Sequence, residues 1–112
     1  MTYVPDQGHA IWFTFDPQAG HEQAGRRPAI VLTPAAYNRK TGLVLVCPVS
    51  SQAKGYSFEV SLPTGLPVSG VILADHVKSA DWRARRAAFI CELPRAILLD
   101  VLAKLSALLA AT

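Results

Sequence analysis

The sequence predicts a mainly β fold closed by one C-terminal α-helix. Three observations carry this. Short runs with strand periodicity, separated by Pro, Gly and polar clusters, fill the chain up to residue 92. The period then changes, and Leu98, Val101, Leu102, Leu105, Leu108 and Leu109 recur at steps of three and four as one wide apolar stripe. Finally, 112 residues with 51% hydrophobic content suit one domain, residues 1–112, with a core of its own.

The elements follow in order. His9 to Asp16 alternates, with Ile11, Phe13 and Phe15 on one face and Ala10, Trp12 and Thr14 on the other, and Pro17 ends it. The polar segment 20–29 reads as a turn-rich loop. Pro28 opens a second strand, Ala29 to Thr33, rich in branched apolar residues and closed by Pro34. Asn38 to Gly42 reads as a polar turn. Leu43 to Val49 is almost continuously apolar, as in a strand covered on both sides. After polar Ser50 to Gly55, the runs Tyr56 to Leu62, Gly70 to Ala74, Val77 to Trp82 and Ala87 to Glu92 complete the β body. Pro94 suits the first turn of the final helix, whose apolar stripe is expected to pack on the sheet. Trp12 and Trp82 are expected in the core or at a subunit contact.

Composition narrows the chemistry. The net charge of +3 favours anionic partners without forming a polybasic tail. Cys47 and Cys91 both sit in apolar stretches and read as buried free thiols, and His9, His21 and His76 lack ligand spacing, so neither a metal site nor a cofactor is expected. The N-terminus has no signal-peptide pattern, and the apolar stretch Ala96 to Ala111, broken by Asp100 and Lys104, is too short to span a bilayer. A soluble, cytoplasmic protein is expected.

The most informative segment is Gly20-His21-Glu22-Gln23-Ala24-Gly25-Arg26-Arg27-Pro28-Ala29. It gathers an imidazole, a carboxylate, an amide and two guanidiniums beside a strand. Guanidinium groups stay charged at any working pH and meet phosphate with a two-pronged fork, so a phosphate-handling site is the first expectation.

Several separated motifs in one order resemble the MazF/PemK group of toxins: Glu22-Gln23-x-Gly25-x-Arg27-Pro28 after Phe15-Asp16-Pro17, Tyr37-Asn38 before Lys40-Thr41-Gly42, Lys54-Gly55-Tyr56-x-Phe58-Glu59-Val60, and Leu73-Ala74-Asp75-x-Val77-Lys78-Ser79 before Trp82-Arg83-Ala84-Arg85. The resemblance implies a small SH3-like barrel, a homodimer, and metal-independent cutting of single-stranded RNA. The 2′-hydroxyl would attack phosphorus, leaving a 2′,3′-cyclic phosphate and a free 5′-hydroxyl. It further implies a MazE-like antitoxin whose flexible acidic tail covers the RNA groove, with DNA met only through that antitoxin.

The residues can be set against this chemistry. Attack requires a proton acceptor at the 2′-oxygen, donors for the charge on pentavalent phosphorus, and a proton for the departing 5′-oxygen. The family's catalytic arginine falls on Arg27, for which a surface ion pair with Glu22 is the plainer reading. Its hydroxyl partner falls on Ser50, where the family usually has threonine, and Ser51 is the alternative. Glu22 is the candidate proton acceptor, with His21 as the other choice. Phe15, Asp16, Gln23, Arg26, Ser51, Gln52 and Lys54 are candidates for RNA binding, since unpaired bases stack on aromatic or guanidinium planes. Phe15 is equally readable as core. Two other classes share the fold: a CcdB-like toxin that poisons DNA gyrase, and an inactive homologue that only binds antitoxin.

Overall fold

The structure is a computed structural model that describes residues 3–15 and 24–111. Among these residues the chain forms β1 (His9–Phe15), β2 (Gly25–Val31), α1 (Ala35–Thr41), β3 (Leu43–Ser50), β4 (Glu59–Ser61), β5 (Val71–Leu73), β6 (Lys78–Asp81), β7 (Ala88–Glu92) and α2 (Arg95–Leu109).

The strands are antiparallel and ordered β4-β5-β3-β2-β1-β7, with β6 also on β3. β3 is the hub. One of its edges pairs with β2, while the other is divided between β6 at residues 43–46 and β5 at residues 49–50. Among the described residues no ladder joins β4 to β7, so the expected small barrel is realised as an open one, apolar on both faces.

Strand alternation produces the two faces. Ile11, Phe13 and Phe15 of β1 join Ala29, Val31, Val44, Val46 and Trp82 in one core. Ala10, Ile30, Cys47, Val49 and Ile72 enter the other, which Leu98 and Val101 of α2 cover. Each fully buried side chain of this size contributes about 2 kcal/mol, so the double coverage of β3 explains its unbroken apolar run. The helix overshoots its sheet, however. Leu108 and Leu109, expected within the packed stripe, are exposed in its last turn.

Three other expectations are corrected. Residues 38–42 belong to the helix α1 and its cap rather than to a turn. Gly42 adopts φ +74°, where a side chain is strained, and its N–H closes the helix on Asn38 O. Arg26, Arg27 and Pro28 are strand residues of β2, not loop residues. The strand read from Tyr56 to Leu62 is only Glu59–Ser61.

Asn38 organises this end of the fold. It is fully buried; its amide donates to Pro5 O and Thr33 O at 2.8 and 2.9 Å, and its Oδ1 accepts from the Thr33 hydroxyl at 2.6 Å. Its backbone carbonyl also receives the Trp82 indole N–H at 2.8 Å. Trp82 is thereby fixed in the core, whereas Trp12 is 43% exposed. Cys47 is buried and Cys91 half-buried, both as free thiols, and burial pushes the Cys47 thiol up to about 12. No helix among the described residues is long and apolar enough to cross a membrane.

Candidate active site

Register places the two principal side chains. β2 runs against β3 with Ala29 facing Pro48, Ile30 facing Cys47 and Val31 facing Val46. Carried two residues further along both strands, this register sets Arg27 level with Ser50. The ladder itself stops sooner, because Pro28 has no N–H to continue it. Arg27 shares its face of β2 with Ala29, and Ser50 its face of β3 with Pro48, so both side chains leave the same side of the sheet.

The surroundings hold each group. Arg27 is half-buried and lies opposite Phe13 on β1. Its Nε donates to Ala24 O at 3.0 Å, and among the described residues no other hydrogen bond or ion pair engages the guanidinium. The fork of Nη groups is thus left for an anion against an apolar wall, where low polarity strengthens charge interactions. Ser50 closes a tight turn: its Oγ accepts from the Gln52 N–H at 3.2 Å and donates to Gln52 O at 3.3 Å. Ser50 also pairs with Val71 across β3 and β5.

The other expected residues divide. Arg26, though adjacent to Arg27, lies on the opposite face of β2, where its Nη1 donates to the Thr14 hydroxyl at 3.0 Å. The two guanidiniums therefore do not form one cluster, because strand alternation separates what the loop reading had joined. Phe15 is 5% exposed and packs edge-on against Phe13 with ring centroids 5.2 Å apart, so its ring is a core element and not a platform for a base. Ser51, Gln52 and Lys54 are exposed on the β3–β4 loop that follows Ser50. Asp16, His21, Glu22 and Gln23 lie outside the described residues. Of the remaining histidines, His9 Nδ1 meets the Tyr3 hydroxyl at 2.7 Å, and His76 lies 3.9 Å from the Asp75 carboxylate.

Two residues at the site were missed by the sequence reading. Gly70, with φ +115°, approaches the Ser50 carbonyl so closely that a Cβ there would overlap it. Glu59 turns its carboxylate to the backbone of the loop, accepting from the N–H groups of Lys54 and Gly55. The motif containing Glu59 was visible in the sequence, but an acceptor for loop amides carries no spacing signal.

Comparison with known proteins bears on this arrangement. Residues 6–109 match the family described as PemK-like, MazF-like toxin of type II toxin-antitoxin system. The chain belongs to the PemK/MazF toxin family. The endoribonuclease toxin MazF of Escherichia coli (strain K12) is 59% identical over 85 residues, 76% of each chain. The endoribonuclease PemK of Escherichia coli is 41% identical over 104 residues, 88% of this chain and 78% of its own. The crystal structure of MazF from Deinococcus radiodurans has a TM-score of 0.93 and 62% identity, covering 96% of this chain and 98% of that one. A MazE-MazF crystal structure from the same organism gives 0.87 and 54%, covering 99% of this MazF-like chain and all of the matched one.

Proposed function

We propose that this MazF-like chain is the endoribonuclease toxin of a type II toxin-antitoxin pair, and that it cuts single-stranded RNA between Arg27 and Ser50. The observation that carries the proposal is the shared level and face of these two residues just beyond the end of the β2–β3 ladder. The named activity of MazF and PemK, its relatives at 59% and 41% identity, supports the reaction class.

The reaction divides among the groups as follows. A base takes the proton of the 2′-hydroxyl, and the 2′-oxygen forms a bond to the adjacent phosphorus. The Arg27 fork neutralises the non-bridging oxygens as negative charge gathers there. Ser50 Oγ donates to the same phosphate or orients the attacking hydroxyl, and it suits this better than Ser51, which the alternation of the strand turns the other way. The bond from phosphorus to the 5′-oxygen then breaks, and that oxygen takes up a proton. Cyclic phosphate and 5′-hydroxyl ends result, with no metal required. Glu22 is the proposed base.

Gln52 and Lys54, on the exposed loop beside Ser50, are placed to meet neighbouring nucleotides, while Arg26 serves strands that pass the outer face. The MazE-MazF structures of Deinococcus radiodurans support an antitoxin partner of the MazE kind. Its acidic tail would compete with RNA for the same guanidinium, and a homodimer is the expected functional unit. The test is incubation of the purified protein with single-stranded RNA in excess EDTA. Fragments with 2′,3′-cyclic phosphate ends are expected. Intact RNA accompanied by trapped gyrase–DNA complexes would instead favour gyrase poisoning.

A further inference from the structure

The loop between β3 and β4 carries the groups proposed to read RNA, yet nothing apolar holds it. Residues 51–57 are all exposed. A loop of this kind takes its position from hydrogen bonds alone, and those bonds come from two rigid elements. Glu59, the first residue of β4, sets its carboxylate under the loop: Oε2 accepts from the Lys54 N–H at 2.9 Å, and Oε1 from the Gly55 N–H at 3.0 Å. Lys104, on the third turn of α2, reaches across with its ammonium to Ser57 O at 2.9 Å. Both contacts join a charged group to the backbone, the stronger class of hydrogen bond.

The geometry points to Glu59 and Lys104 as positioning residues for RNA recognition, holding the Gln52–Lys54 segment at a fixed place beside Ser50. This rests on the reading of the chain as an endoribonuclease. The two contacts act on opposite halves of the loop. Glu59 fixes the half that bears Lys54, and Lys104 ties the half leading into β4 to the C-terminal helix. Neither side chain touches Arg27 or Ser50 in any hydrogen bond. Their loss therefore weakens and blurs recognition while the bond-breaking groups stay in place.

The test compares wild type with Glu59→Ala, Glu59→Gln and Lys104→Met by three readouts: steady-state cleavage of one RNA, mapping of all cut sites on a long RNA, and amide exchange at Lys54 and Gly55. Glu59→Ala is expected to raise KM about tenfold with kcat nearly unchanged, to broaden the range of sequences cut, and to speed exchange at both amides by roughly tenfold or more. Glu59→Gln keeps an acceptor oxygen and restores part of each property, which separates positioning from a general loss of fold. Lys104→Met keeps its stem and is expected to change KM in the same direction by less. Unchanged KM and unchanged cut sites in all three variants, with wild type active, would overturn this inference and leave the proposed activity standing. An inactive wild type would remove both.

Discussion

Gly70 lies against the backbone of Ser50 so closely that no other residue fits between them: a Cβ at position 70 would overlap the Ser50 carbonyl oxygen and crowd the Ser50 carbonyl carbon. Its φ of +115° excludes side chains for a second, independent reason. The contact fixes where β3 ends, and with it the height at which the Ser50 hydroxyl stands. Gly70→Ala is expected to lower stability by roughly 2–4 kcal/mol, read as a fall in Tm, and to depress RNA cleavage in whatever fraction remains folded. A Tm within a degree of wild type would show that the approach is looser than described.

Asn38 satisfies four backbone or hydroxyl partners from a fully buried position, counting the contact of its own carbonyl with Trp82. Asn38→Ala keeps the backbone contact but strands Pro5 O, Thr33 O and the Thr33 hydroxyl. We expect a loss of about 3 kcal/mol, measured by urea unfolding. Asn38→Asp should be worse near neutral pH, because a buried carboxylate would face the carbonyls of Pro5 and Thr33. A cost below about 1 kcal/mol for Asn38→Ala would mean that water replaces the amide there.

Asp6 caps α1 from outside the helix. Its carboxylate is held below the usual carboxylate range chiefly by accepting the Ala35 N–H, with further lowering from the Gln7 N–H, His9 and Arg39, against a smaller opposing effect of burial. A depressed native value means that the stabilisation is present above the unfolded carboxylate pKa near 4 and disappears as pH falls through the native one. Since the group is mostly exposed, the contribution is set by capping and discounted for solvent, to about 0.5 kcal/mol. Comparing Asp6→Ala with wild type by thermal melting should reveal a gap at pH 7 that closes on acidification. A gap of equal size at pH 3 and pH 7 contradicts the sign.

Legibility in the sequence followed the kind of force involved. β1 and β3 could be read because burial on one or both faces imposes alternation or an unbroken apolar run. α1 could not, since its seven residues bear little apolar period and are held by tertiary bonds from Asp6 and Trp82. Arg26 and Arg27 misled for a related reason. Charge at a strand end looks like loop, and only the pairing with Thr14 and Phe13 reveals that the two point to opposite faces. Phe15 shared a face with Ile11 and Phe13, and its core role followed from that same alternation. For the site, Arg27 and Ser50 came from motif likeness, whereas Gly70 and Glu59 act on backbone atoms distant in sequence and leave no trace in local pattern.

The central claim is that Arg27 and Ser50 grip one reacting phosphodiester. Single-turnover cleavage of a defined single-stranded RNA in excess EDTA, by wild type, Arg27→Ala and Ser50→Thr with folding checked by circular dichroism, tests it most directly. The account predicts cyclic phosphate ends, a loss on the order of 10²–10³-fold for Arg27→Ala, and retained cutting by Ser50→Thr. Wild-type rates and identical ends from folded Arg27→Ala would contradict it.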